Sequence, residues 1–193
     1  IVGFLAQAFL KLNPGAKIVH DPRLIWNTVE MVKEAGGIPV VSKAGHAFIK
    51  ERMRKEDAVY GGEMSAHHYF RDFSYADSGM IPWLLLVQTL SEARRPLSEL
   101  IQDRVDKYPV SGEINRTVSD QKAVIQKIET YYKGTELKTD YIDGLSMEFH
   151  DWRFNLRPSN TEPVIRLNVE TKQNHQLLKD KTAELLKIIE SFG

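Results

Sequence analysis

Lys17-Ile18-Val19-His20-Asp21-Pro22, then a helical face at Leu24, Thr28, Met31, Val32 and Ala35, then Ile38-Pro39-Val40-Val41, is the stretch on which the fold class turns. Its two ends are short apolar runs that read as strands, and Gly36-Gly37 closes the helix between them. Strands joined through a helix by short loops lie side by side in a parallel sheet. Upstream, Leu5, Ala8, Phe9 and Leu12 trace another helix face, which Asn13-Pro14-Gly15 stops. Downstream, residues 47–55 read as a helix, Ala58-Val59-Tyr60 as a strand and residues 79–92 as a strongly apolar helix. Trp83 with Leu84 to Val87 reads as core. The expectation for residues 1–110 is an α/β domain, a mainly parallel sheet flanked by helices.

After Lys107-Tyr108-Pro109 the pattern changes. Residues 113–118 read as a strand, and Ser119 is the expected N-cap of a helix running to about Tyr132. Three strand-like stretches follow, 138–143, 145–157 and 164–171, with the hairpin dipeptide Asp143-Gly144 between the first two. Leu178, Leu185 and Ile189 mark a closing helix. Residues 111–193 are therefore expected to form a smaller α+β domain, an antiparallel sheet with two helices on one face.

Composition narrows the function classes. The 193 residues carry 26 basic and 26 acidic side chains, balanced in both halves, so nothing marks a general nucleic-acid binder. The longest apolar run, residues 81–87, is far shorter than the roughly 20 residues of a membrane span. Cysteine is absent, which excludes disulfides, thiol nucleophiles and cysteine-based metal sites, and a reducing cytoplasm fits. The chain opens on Ile1, already inside an amphipathic pattern, and we expect it to be a piece of a longer protein.

Three polar clusters follow successive strands and should converge on one sheet edge. His20-Asp21-Pro22-Arg23 offers a cation, which could meet a phosphate or lie solvated at the surface. Ser42-Lys43-Ala44-Gly45-His46 offers a histidine with near-neutral pKa, suited to general acid/base work or to a helix cap. Gly61-Gly62-Glu63-Met64-Ser65-Ala66-His67-His68 puts a carboxylate two residues from a hydroxyl, equipment for gripping vicinal sugar hydroxyls. His67 and His68 with His46 or Glu63 invite a metal reading. Neighbouring residues in extended backbone face opposite ways, which sets those two histidines against sharing one ion. A fourth cluster, Arg157-Pro158-Ser159-Asn160-Thr161-Glu162-Pro163, lies between two strand patterns. Its hydroxyls, amide and guanidinium match the donors that hold a phosphate, though the same residues also make ordinary polar turns.

Gly62 to His68 resembles the sugar loop, and Arg157 to Pro163 the phosphate loop, of the α-D-phosphohexomutase family, and Lys43-Ala44-Gly45-His46 resembles a third family stretch. The likeness runs the length of the chain and is greatest to the bacterial phosphomannomutase/phosphoglucomutase branch. It implies that the chain is the third and fourth of four domains, with the N-terminal domains missing. It further implies that Glu63, Ser65 and Arg23 bind the sugar. Arg157, Ser159, Asn160 and Thr161 would hold the phosphate not being transferred, and His46 would assist proton transfer. Arg166 is the second phosphate arginine by this resemblance, although some relatives carry it two residues on, where this chain has Asn168. Ala66 departs from the family's usual Gly. The implied reaction interconverts mannose 6-phosphate and mannose 1-phosphate through hexose 1,6-bisphosphate, feeding GDP-mannose synthesis. The implied Mg²⁺ loop and Ser-His-Asn-Pro phosphoserine stretch occur nowhere in these residues, so no metal ligand is assigned and the chain alone is expected to be inactive. A stand-alone sugar-phosphate-binding module and a phosphoglucomutase preference are the alternatives.

Overall fold

The computed structural model describes residues 1–159 and 161–192. They divide into two compact units, the first from Ile1 to Arg104 and the second beginning at Val105.

The first unit opens with helix α1 (Val2–Leu12), strand β1 (Lys17–His20), α2 (Trp26–Glu34), β2 (Ile38–Val41), α3 (His46–Glu56) and β3 (Tyr60–Gly62). Strand β1 pairs in parallel with both β2 and β3, with Val19 opposite Val40 on one side and Gly61 on the other. Two short strands extend the sheet: β4 (His68–Phe70) folds back antiparallel on β3, and β5 (Ala76–Asp77) on β4. The order is β2-β1-β3-β4-β5, a mixed sheet whose parallel part carries the helical crossovers. Leu5, Leu10, Ile18, Val32, Tyr60 and Phe70 pack one face, and Val19, Ile49, Met53 and Tyr69 the other. The α1 face differs from the expected one. Leu5, Ala6 and Leu10 are buried and Leu12 is exposed, because the chain turns away at Asn13.

Helix α4 (Met80–Ala93) brings the largest correction. Ile81, Leu85 and Leu86 pack on the core while Met80, Trp83, Leu84 and Val87 face outward, Trp83 being 57% exposed. A helix apolar on all sides can bury only the stripe that meets its neighbour, and here α1 takes it. Helix α5 (Leu97–Lys107), absent from the expected elements although Leu97, Leu100, Ile101 and Val105 recur at helical spacing, spans the boundary between the units.

The second unit is an antiparallel sheet ordered β6-β10-β9-β8-β7. Its strands are β6 (Ile114–Thr117), β7 (Lys138–Asp140), β8 (Leu145–Glu148), β9 (Trp152–Pro158) and β10 (Val164–Thr171). Helices α6 (Gln121–Tyr132) and α7 (His175–Glu190) cover one face, over a core that includes Val124, Ile128, Phe154, Leu167 and Ile189. The cap of α6 is Asp120 and not Ser119: the Asp120 carboxylate accepts from the backbone N–H groups of Lys122 and Ala123. The expected single stretch 145–157 is a hairpin, bent at residues 149–151. Asp143-Gly144 does lie in the β7–β8 connection, and Gly144 is required there. Its φ is +75°, and a side chain would run into the Leu156 carbonyl and the Arg157 backbone.

Candidate functional site

In the first unit the loops after β1, β2 and β3 meet, because parallel strands release their carboxyl ends on one edge. The knot at their centre is Asp21 with Arg23. One Asp21 oxygen accepts from the Arg23 backbone N–H at 2.9 Å, and the other accepts from the Arg23 guanidinium at 2.7 Å and from the Met64 N–H at 2.6 Å. Burial pushes the Asp21 carboxyl up, but the Arg23 guanidinium and these N–H donors outweigh it and hold the group below the usual carboxylate range. Arg23 is thus no solvated surface charge. It lies 4% exposed, its Nη2 donates to the Ser65 hydroxyl at 3.3 Å and stands 4.0 Å from Glu63 Oε1.

Glu63 and Ser65 are brought together by a turn, not by extended backbone. The Glu63 N–H donates to the His67 carbonyl and the Ala66 N–H to the Glu63 carbonyl, so residues 63–67 close the β3–β4 hairpin. Ala66 sits at φ 65°, the left-handed region where glycine is at ease and alanine costs on the order of 1–2 kcal/mol. The family's usual Gly at that position thereby has a physical reason. The Glu63 carboxylate accepts from the Gly45 N–H at 2.7 Å and from the Tyr69 hydroxyl at 2.7 Å. It ties the third loop to the second, with lone pairs to spare for a further donor. Burial, followed by that hydrogen bond to Glu63, raises the Tyr69 hydroxyl pKa and keeps the group a donor.

His46 is exposed on the first turn of α3, behind Gly45 at φ 115°. Its ring lies 4.4 Å from that of His67 and 5.4 Å from that of Tyr69. His67 in turn faces Asp77, Nδ1 to Oδ2 at 2.7 Å. His68 points elsewhere, into the core, where its Nδ1 meets the Tyr60 hydroxyl at 2.8 Å. Burial lowers its pKa to about 4. A folded pKa below the unfolded 6.5 means that the native state binds fewer protons. Stability is therefore complete above pH 6.5 and falls between pH 6.5 and 4, by at most about 3 kcal/mol. Urea unfolding across that window is expected to show the loss, and His68→Gln to flatten it; equal slopes in the two proteins would contradict the assignment.

The phosphate-loop candidates belong to the second unit. Arg157 on β9 and Arg166 on β10 are register partners, and both reach the Glu113 carboxylate, at 3.2 and 3.6 Å. Asp143 lies 3.7 Å from the other Arg157 nitrogen. Asn168, by contrast, is wholly buried and its amide has no partner among the described residues, so Arg166 is the one beside Arg157. Ser159 and Thr161 stand at the turn with hydroxyls 3.5 Å apart. Asn160 lies outside the described residues. The turn is tied down by Gln121, whose side-chain amide donates to the carbonyls of Ser159, Glu162 and Val164 at 3.4, 3.0 and 2.9 Å. Sequence reasoning missed Gln121, Glu113, Tyr69 and Asp77 as site residues. Asp21 is visible in sequence only as part of a strand-end cluster, two residues before its arginine.

Among the described residues, the grouping of metal-ligating side chains is His46, His67 and Asp77. Two nitrogens and one carboxylate do not fit Mg²⁺, which takes oxygen ligands and keeps its waters, so no step here runs through that ion. No helix among the described residues is long and apolar enough to cross a membrane.

Residues 1–108 match the sequence model of phosphoglucomutase/phosphomannomutase, alpha/beta/alpha domain III, and residues 113–188 that of the C-terminal domain of the same family. The chain is 59% identical over 189 residues to a phosphomannomutase of Escherichia coli, covering 98% of this chain and 41% of the relative. It is 59% identical over 193 residues to a phosphomannomutase of Vibrio cholerae, covering 100% and 42%. A solved phosphoglucomutase/phosphomannomutase family protein of Burkholderia thailandensis superposes with a TM-score of 0.77 at 29% identity, over 98% of this chain and 41% of that one. The chain spans about two fifths of the length of the relatives it matches.

Proposed function

Because the chain belongs to the phosphoglucomutase/phosphomannomutase family, we propose that it is the substrate-holding part of a phosphomannomutase. In the longer protein it would serve the exchange of mannose 6-phosphate and mannose 1-phosphate through hexose 1,6-bisphosphate. The observation that carries this reading is the pair Arg157 and Arg166, side by side across two strands at the foot of a turn bearing Ser159 and Thr161. Two guanidinium groups and two hydroxyls are donors of the kind a phosphate dianion accepts, and Arg157 offers a fork that can engage two of its oxygens. Asn160 completes that set in the reading.

The Arg23, Glu63 and Ser65 cluster supplies the sugar's contacts. Glu63 accepts from a hydroxyl and Ser65 donates or accepts, while Arg23 holds both in place. His46, exposed beside this cluster, is the group that would take or return a hydroxyl proton as a phosphoryl group moves. Phosphoryl transfer itself rests on in-line positioning and charge neutralisation. The chain contributes positioning; the phosphoserine, Mg²⁺ and their ligands would come from the preceding domains. In this reading the reaction is cytoplasmic and its mannose 1-phosphate goes to GDP-mannose.

The purified chain is expected to bind mannose 1-phosphate by calorimetry and to show no turnover in a coupled mutase assay. Adding the separately folded N-terminal half is expected to restore Mg²⁺-dependent turnover. Turnover by the chain alone, or none with both halves folded, would overturn the proposal. Running glucose 1-phosphate in parallel decides the manno or gluco preference.

A further inference from the structure

His67 is held toward Asp77, and Asp77 is itself held from the backbone. The Asp77 Oδ2 meets His67 Nδ1 at 2.7 Å, while Oδ1 accepts the His68 backbone N–H at 3.0 Å. The carboxylate is therefore fixed in direction by strand β4. The exposed His46 ring stands edge-on to His67 at 4.4 Å, and the Tyr69 ring lies 5.4 Å from that of His46. One ligand atom from each of His46, His67 and Asp77 can be chosen so that all three lie within 4.8 Å of one another. Ligands at about 2.0–2.2 Å from a tetrahedral ion stand roughly 3.3 Å apart. The difference is within the reach of one side-chain rotation, and His46, solvent-facing at a helix start, has the room to make it.

We propose that His46, His67 and Asp77 form a binding site for one divalent transition-metal ion of the zinc class. The ion takes a ring nitrogen from each histidine and an oxygen from Asp77, replacing the hydrogen bond between His67 and Asp77 with two bonds to metal. A neutral imidazole carries its one proton on the nitrogen that does not ligate, so the two histidines bind without oxidation or reduction. Two imidazoles and one carboxylate favour Zn²⁺, Co²⁺, Ni²⁺ or Cu²⁺ over Mg²⁺ or Ca²⁺, which prefer all-oxygen sites. With three protein ligands, the remaining position is open to water or a ligand oxygen. A filled site also withdraws the His46 lone pair from proton transfer. That consequence rests on the proposed function, whereas the binding does not.

The test is titration of the 193-residue chain with Zn²⁺ by calorimetry and with Co²⁺ by visible absorption. One ion per chain is expected, with millimolar Mg²⁺ neither binding there nor displacing it. His46→Gln and His67→Gln are each expected to weaken binding more than about tenfold, and Asp77→Asn about tenfold. His150→Gln, exposed in the other unit, is the control and should bind as the unaltered chain does. Circular dichroism confirms that each variant is folded. Absence of a saturable Zn²⁺ signal, affinities within about twofold in both histidine variants, or displacement by Mg²⁺ would overturn the site. Inhibition by Zn²⁺ of turnover in the reassembled mutase, lost in His67→Gln, tests the consequence separately.

Discussion

Arg157→Ala is expected to weaken binding of mannose 1-phosphate to this chain by about 10- to 100-fold. Hydrogen bonds to a charged partner contribute roughly 1.5–3 kcal/mol, and each 1.4 kcal/mol is about tenfold in affinity. The guanidinium is 16% exposed and held between Glu113 and Asp143, so its direction is set before a phosphate arrives. Arg157→Lys keeps the charge and loses the planar fork, and an intermediate loss is expected. Ser159→Ala removes one neutral donor and should cost only a few-fold. Calorimetry is therefore expected to rank Arg157→Ala weakest, Arg157→Lys next and Ser159→Ala tightest of the three. An unchanged affinity in Arg157→Ala would remove the phosphate assignment of this loop, whatever the fate of the sugar cluster.

Glu113 gives the same pair a second property. It is the carboxylate shared by Arg157 and Arg166, which keeps two adjacent guanidinium groups from repelling one another. A phosphate bound at the same pair inherits donors that are already aimed. Residues 157–163 stand out in sequence as a unit, but Glu113 does not, because its partnership joins β9 and β10 to a residue more than forty positions away.

That difference runs through the whole molecule. Elements whose pattern repeats over several residues are legible: β1, α2 and β2 lie where periodicity puts them, and so does the antiparallel second unit. A strand of two or three residues is legible only where its neighbours extend the pattern, as they do at β7. Thus β4 and β5 leave no trace in the pattern, nor does the hairpin that turns Gly62 to His68 back along β3. The apolar content of α4 is visible, but which stripe meets α1 is not, since hydrophobicity alone cannot rank the sides of an all-round apolar helix. Site residues with unusual chemistry in sequence, Arg157 and His46 among them, are legible as candidates. Those that act by holding others, such as Asp21, Tyr69 and Gln121, look ordinary until the loops are folded together.

The Asp21 knot yields the largest stability effect. Asp21→Asn is expected to destabilise the first unit by about 3 kcal/mol, since hydrogen bonds to a charged group contribute roughly 1.5–3 kcal/mol each and the Asp21 carboxylate accepts from the Arg23 backbone, the Arg23 guanidinium and the Met64 N–H. The Arg23 and Asp21 side chains are nearly inaccessible, at 5% and 3% exposure, so water screens their pairing little. The same change removes an acid transition. A carboxyl held below its ordinary value stabilises fully above the unfolded pKa near 3.9, and the contribution drains away as pH falls through the depressed folded value. The unaltered chain should therefore lose stability steeply below about pH 4, and Asp21→Asn, already destabilised, should lose less over the same interval. Native-state hydrogen exchange at the β1 amides of Ile18 and Val19 measures the first effect, and repeating it at two pH values measures the second. A loss under about 1 kcal/mol, the scale of an exposed ion pair, would mean that the three loops are not held together through Asp21.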